Sequence, residues 1–187
     1  MSLSRDRFTG VNAAVLTPVT DDLIPDDALM LEYSKWLMAN GCDGLAILGT
    51  TGEANSFSLK ERIRIIERLI EGGISAKSLM PGTGSCALTD AVELTRMAVQ
   101  AGCGGVLMLP PFYYKNPADS GLFRFFSEVI QRVGHSDLQI YLYHFPQMSA
   151  TPITYNLIEM LLKEYPDTVC GMKDSSGDLE NMAGAAE

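Results

Sequence analysis

The chain has 187 residues, 47% of them hydrophobic and 20% charged, which is enough apolar material for one sizeable core and excludes a disordered or fibrous protein. Its formal net charge is −9, and its lysines and arginines are scattered singly, so it lacks the electrostatic footprint that holds nucleic acid or an anionic membrane. The opening MSLSRDRFTG has no apolar signal-peptide core and no run approaches 18 apolar residues, which makes the expected location cytoplasmic. The four cysteines, at 42, 86, 103 and 170, form no C-x-x-C pair and have only two histidines beside them, which argues against a zinc site or a disulfide framework.

Six short apolar runs recur along the chain. GVNAAVLTP (10–18) leads to a helical pattern, PDDALMLEYSKWLMANG, that sets Leu29, Tyr33, Trp36 and Leu37 on one face. GLAILG (44–49) passes through GTTGE (49–53) into SLKERIRIIERLIEGG, where Ser58 and Glu61 are spaced as a capping box and Gly72 suits a left-handed helix end. SLMPGTG (78–84) precedes LTDAVELTRMAVQAG, and GGVLMLPP (104–111) runs through PPFYYKNP (110–117) into SGLFRFFSEVIQRVG. QIYLYHF (139–145) precedes TYNLIEMLLKEYP, and TVCGMKD (168–174) is followed by GDLENMAGAAE.

The strand runs are continuously apolar rather than alternating, as parallel strands covered by helices on both faces require. The fold class is therefore α/β, either an open doubly wound sheet or a closed (β/α)8 TIM barrel. Unit length favours the barrel, since about 31 residues per unit over eight units gives roughly 250, the usual size of that fold. Only about six units are present. The expectation is a single barrel domain over 1–187, incomplete at its C-terminus, with apolar edges left bare at Gly10–Pro18 and Thr168–Asp174.

Ligands of both architectures bind at the carboxyl ends of the strands, so the residues just after each run matter most. Thr17, the GTTGE turn, GTGS (82–85), PPFYYKNP, Tyr143 and Lys173 all fall there. Alternation sets Val169, Gly171 and Lys173 on one strand face and Asp174 on the other. A lysine desolvated in a site loses part of its preference for protonation and becomes a nucleophile toward a carbonyl, whereas one at a strand end can equally snorkel to water. GTTGE offers glycine-flanked amides and two hydroxyls suited to a carboxylate, or is a plain turn. GTGS lacks the third glycine and the acidic partner of a dinucleotide fingerprint, so no such cofactor is expected. Tyr143 is either a core tyrosine or a phenol placed for proton transfer; His144, on the opposite face, reads as a packing histidine.

GTTGE, PPFYYKNP, YHFP and GMKDSSGD, in that order and at strand-end spacing, resemble the dihydrodipicolinate synthase/N-acetylneuraminate lyase family, with LTP (16–18) fitting its first strand. The resemblance implies a (β/α)8 barrel, usually tetrameric, that forms a Schiff base with pyruvate or a related 2-oxoacid and makes or breaks a bond to an aldehyde. No metal or organic cofactor is implied, and the partners are small molecules and further copies of the chain. By that resemblance Lys173 is the Schiff-base lysine, Tyr143 the proton shuttle, and Thr50 and Thr51, with Gly49 and Gly52 around them, the carboxylate site, Thr50 also linking to the tyrosine. Tyr113 is similar to a tyrosine that crosses a subunit interface, with Tyr114 as the alternative because the loop has an additional residue.

The segment YHFPQMSA departs from the synthases. It has His144 for their Asn, and Met148 near an arginine that binds the second substrate's carboxylate, so a different aldehyde or a sugar acid is expected rather than aspartate semialdehyde. An authentic dihydrodipicolinate synthase and a non-catalytic ligand-binding relative are the alternatives.

Overall fold

The structure is a computed structural model and describes residues 8–186. Contacts group the chain into two compact units, one of 8–83 with 94–106 and the other of 84–93 with 107–186.

In the first unit β1 (Asn12–Ala14) and β2 (Gly44–Ala46) run parallel, Asn12 against Gly44 and Ala14 against Ala46. The third apolar run forms no full strand. It follows β2 through two bonds only, Met80 N–H to the Leu45 carbonyl at 2.9 Å and Gly82 N–H to the Ile47 carbonyl at 2.8 Å. Pro81 between those donors has no N–H for the other side, which limits the run to isolated bridging.

Helix α1 (Asp27–Ala39) starts where the Asp26 carboxylate accepts the Ala28 and Leu29 N–H groups at 3.1 and 3.0 Å. Its buried face differs from the one expected. Met30 and Ser34 are buried, Tyr33 and Leu37 are partly so, and Leu29 and Trp36 are 48% and 58% exposed. Apolar triplets at 29–31 and 36–38 surround this helix, so spacing alone fits more than one stripe and packing selects among them.

Helix α2 (Leu59–Glu71) carries the capping box, the Ser58 N–H donating to Glu61 at 2.8 Å and the Ser58 hydroxyl receiving the Glu61 N–H. Arg62, Ile65, Ile66 and Leu69, spaced i, i+3, i+4, i+7, face inward against Val15, Leu45, Ile47 and Leu79. The left-handed helix end falls one residue later than expected: Gly72 is right-handed, and Gly73 has φ +97°.

In the second unit β3 (Val106–Met108), β4 (Ile140–His144) and β5 (Val169–Asp174) form one sheet in that order; α3 (Leu88–Gln100) and β3 are each divided between the units. Helix α4 (Asp119–Val133) buries Leu122, Phe126, Val129 and Val133 and packs on α6 (Tyr155–Glu164), which buries Leu157 and Leu161. Polar links fix both ends of that contact. Asp119 accepts from the Thr154 hydroxyl and the Asn156 amide, each at 2.8 Å, and the Gln131 amide donates to the Tyr165 hydroxyl at 2.9 Å. Two short helices, α5 (Pro146–Ser149) and α7 (Leu179–Gly184), follow the ends of β4 and β5. Among the described residues no helix is long and apolar enough to cross a membrane.

Candidate functional site at the strand ends

Strands β4 and β5 are parallel, and their register begins with Ile140 against Val169. A shift between Ile140 and Tyr141 then leaves Cys170 unmatched, so that Gly171 meets Tyr141, Lys173 meets Tyr143 and Asp174 meets His144. Had the ladder stayed regular, Lys173 would oppose His144. The extra residue therefore turns the end of β5 and transfers Lys173 to the face of Tyr143. The expected alternation is kept by Gly171 and Lys173, while Val169, matched to Ile140, falls out of it.

On that face the half-buried Lys173 holds its Nζ 4.3 Å from the centroid of the Tyr143 ring, within cation–π range. Tyr143 is 3% exposed and its ring lies 5.9 Å from that of Phe145. Gly171 makes room for the neighbouring tyrosine, because a Cβ there would come within 3.1 Å of the Tyr141 ring. An amine and a phenol are thus presented together at the end of two strands.

The opposite face is polar and closed. Asp174 accepts the Ser176 N–H at 2.7 Å and the Asn181 amide at 2.5 Å. Burial opposes its ionisation, yet the hydrogen bonds from Ser176 and Asn181 outweigh burial and hold the carboxyl below the usual range. His144 is buried, and its Nδ1 accepts the Ile153 N–H at 3.0 Å.

Tyr113 and Tyr114 belong to the same unit and stand out from it, 71% and 82% exposed, with their rings edge to face at 5.2 Å. Lys115 braces their loop by donating to the Phe112 carbonyl and, at 3.4 Å, to the Ser149 carbonyl at the end of α5.

The GTTGE turn lies in the first unit. Thr50 is half-buried and Thr51 exposed. The turn differs from expectation in where it bends, since the left-handed residues are Leu48 (φ 55°) and Glu53 (φ 50°) rather than Gly49 or Gly52. Gly52 is needed for space, because a Cβ there would lie 2.8 Å from the Val15 carbonyl oxygen. The Thr17 hydroxyl donates to the Gly52 carbonyl at 2.8 Å and ties the turn to the first apolar run. In GTGS the glycines serve close packing in the same way, Gly82 under the Leu48 carbonyl and Gly84 under that of Leu109.

The buried network around Ser149 and Thr151, the brace from Lys115 and the unmatched Cys170 escape a sequence reading. Only the serine and threonine after YHFP could have pointed to any of them. A groove of about 350 Å³ between α4 and α6, lined by Phe123, Ser127 and Tyr165 among others, contains none of the strand-end residues.

Parallel strands joined through helices, with a lysine and a tyrosine on one face at the carboxyl ends of two of them, fit a partial (β/α)8 barrel. The chain belongs to the dihydrodipicolinate synthetase family, whose profile matches residues 7–186. An uncharacterized DapA-like lyase of Chloroflexus aurantiacus is 40% identical over 173 residues, covering 92% of this chain and 57% of that protein. Among solved structures, dihydrodipicolinate synthase from Agrobacterium tumefaciens superposes with a TM-score of 0.90 at 33% identity, over 95% of this chain and 61% of the other. A prophage protein of the dihydrodipicolinic acid synthase family from E. coli K12, solved in complex with pyruvate, gives 0.84 at 29% identity, over 92% and 56%. The chain thus spans somewhat over half the length of the relatives it matches.

Proposed function

We propose that the protein is a Schiff-base-forming lyase that condenses or cleaves pyruvate, or a related 2-oxoacid, with an aldehyde. The observation that carries this reading is the pairing of Lys173 with Tyr143 on one face, Nζ 4.3 Å from the ring centroid, in a chain of this family. The pyruvate bound to the E. coli relative supports the choice of 2-oxoacid.

In this reading the unprotonated Lys173 amine attacks the ketone carbon, and the carbonyl oxygen takes up a proton to give a carbinolamine. Loss of that oxygen as water leaves an iminium, which draws electrons from the neighbouring carbon. That carbon then gives up a proton, and the resulting enamine attacks the aldehyde carbon, whose oxygen is protonated in turn. Hydrolysis of the new iminium returns the amine. Tyr143 moves the protons and Tyr113 extends the relay. Thr50 and Thr51, with the Gly49 and Gly52 backbone, hold the 2-oxoacid carboxylate. Assembly into a homo-oligomer, tetrameric in the family resemblance, and a cytoplasmic location belong to the same proposal; the exposed Tyr113–Tyr114 pair supports the former.

The test is intact mass of the full-length protein after borohydride reduction with and without pyruvate, followed by peptide mapping. A pyruvate-dependent adduct on Lys173, absent in Lys173→Ala and formed roughly 10²–10⁴-fold more slowly in Tyr143→Phe, is the expected result. A folded protein that gives no adduct with pyruvate or other 2-oxoacids would instead be a non-catalytic relative. Turnover of pyruvate with aspartate semialdehyde would identify an authentic dihydrodipicolinate synthase. Met148, 59% exposed near the position expected for that enzyme's arginine, supports another aldehyde.

A further inference from the structure

The segment 145–153 leaves β4 one residue after His144 and returns to it, because the Ile153 N–H donates to the His144 Nδ1 at 3.0 Å. A ring nitrogen that accepts an N–H carries no proton, so in this arrangement the imidazole is neutral with its hydrogen on Nε2. Within the loop so closed, the buried Ser149 hydroxyl lies 3.1 Å from the carbonyls of both Phe145 and Thr151 and accepts the Thr151 N–H at 3.1 Å. Ala150 is held in the left-handed region, φ 49°, a conformation that its methyl group makes costly.

This loop then ties the neighbouring strand ends together. Gln147 donates to the Ser176 carbonyl at 2.6 Å, three residues after Lys173; Lys115, beside the tyrosine pair, donates to the Ser149 carbonyl at 3.4 Å. The frame therefore sits beside the carboxyl ends of β4 and β5, the end at which ligands of such folds bind.

We propose that His144 is a positioning residue, which by accepting the Ile153 N–H fixes the 145–153 loop and so sets the affinity for the carbonyl reactant that meets the Lys173-bound 2-oxoacid. The inference rests on the lyase reading for its second half only. The closure itself is a property of unmodified protein.

Full-length His144→Ala, His144→Asn and His144→Gln separate the possibilities. The amide oxygen of Asn sits where Nδ1 does and can take the Ile153 N–H, whereas that of Gln lies one bond further out. Hydrogen exchange of the 146–153 backbone is expected to speed up about tenfold in the Ala and Gln variants and to return to near the parent rate in the Asn variant, as loss of one buried hydrogen bond predicts. The second measurement uses pyruvate with the better of D-glyceraldehyde and aspartate semialdehyde. KM for the aldehyde should rise about tenfold in Ala and Gln and recover in Asn, with a smaller loss in the yield of reduced pyruvate adduct on Lys173.

Equal exchange in Asn and Gln, or unchanged exchange in all three, overturns the closure. A KM that stays constant, or an adduct yield that falls as far as turnover, overturns the role in aldehyde affinity. If the parent protein forms no adduct, the lyase reading has failed instead, and the exchange pattern alone decides whether His144 closes the loop. Should the Ala variant not fold, the Asn and Gln pair carries the comparison.

Discussion

At Cys170 the ladder between β4 and β5 loses one step, and that step decides whether Lys173 faces Tyr143 or His144. The face opposite Lys173 carries its own consequence for pH. Asp174 is held below the ordinary carboxylate range despite its burial by bonds from Ser176 and Asn181. Since its pKa in the folded chain lies below the unfolded value of about 3.9, its ionised form contributes stability above that pH. The contribution disappears as pH falls through the folded pKa, where both states bind the proton. Asp174→Asn should therefore be less stable than the parent by a constant amount from about pH 5 to 7, with the gap closing below about pH 4. Urea midpoints between pH 3 and 7 read this directly. A gap that persists at pH 3 would mean that the loss came from packing and not from charge.

The elements were legible to different degrees, for physical reasons. Helix α2 could be placed almost to the residue because two independent signals coincide, a capping box at its start and a glycine just past its end. Replacing Ser58 by Ala should cost about 1 kcal/mol, seen as a lower denaturation midpoint at unchanged m value, because the Glu61 N–H loses its acceptor and the Glu61 carboxylate loses the Ser58 hydroxyl. A midpoint identical to the parent's would show that the box is redundant with packing. Helix α1 was legible as a helix but not in its orientation, since Leu29 to Leu31 and Trp36 to Met38 offer several stripes to the core. The third run was legible as apolar but not as a mere bridge, because that depends on what Pro81 faces. In the candidate site the residue types and their order could be read. The aim of Lys173 could not, since an unmatched residue in a ladder leaves no mark in composition or spacing.

For the whole molecule, the conflict is between charge and exposed apolar surface. A net charge of −9 keeps copies apart, and the repulsion is long-ranged and weakened by salt. Against it stand Leu29 and Trp36 on α1, with the Tyr33 ring stacked 6.4 Å from that of Trp36, and the Tyr113–Tyr114 pair. Apolar groups grouped in this way mark contact surfaces. If copies of the chain assemble over such surfaces, salt should strengthen the assembly by screening repulsion while leaving apolar burial intact. Trp36 is the only tryptophan in the chain and so reports on its own face. Sedimentation velocity and Trp36 fluorescence, measured on the 187-residue chain over a range of concentration and salt, should shift together, with larger species and bluer emission at high protein and high salt. Growth in size with unchanged emission would move the contact away from α1 and toward the tyrosine pair, and a monomer under all conditions would refute the assembly altogether.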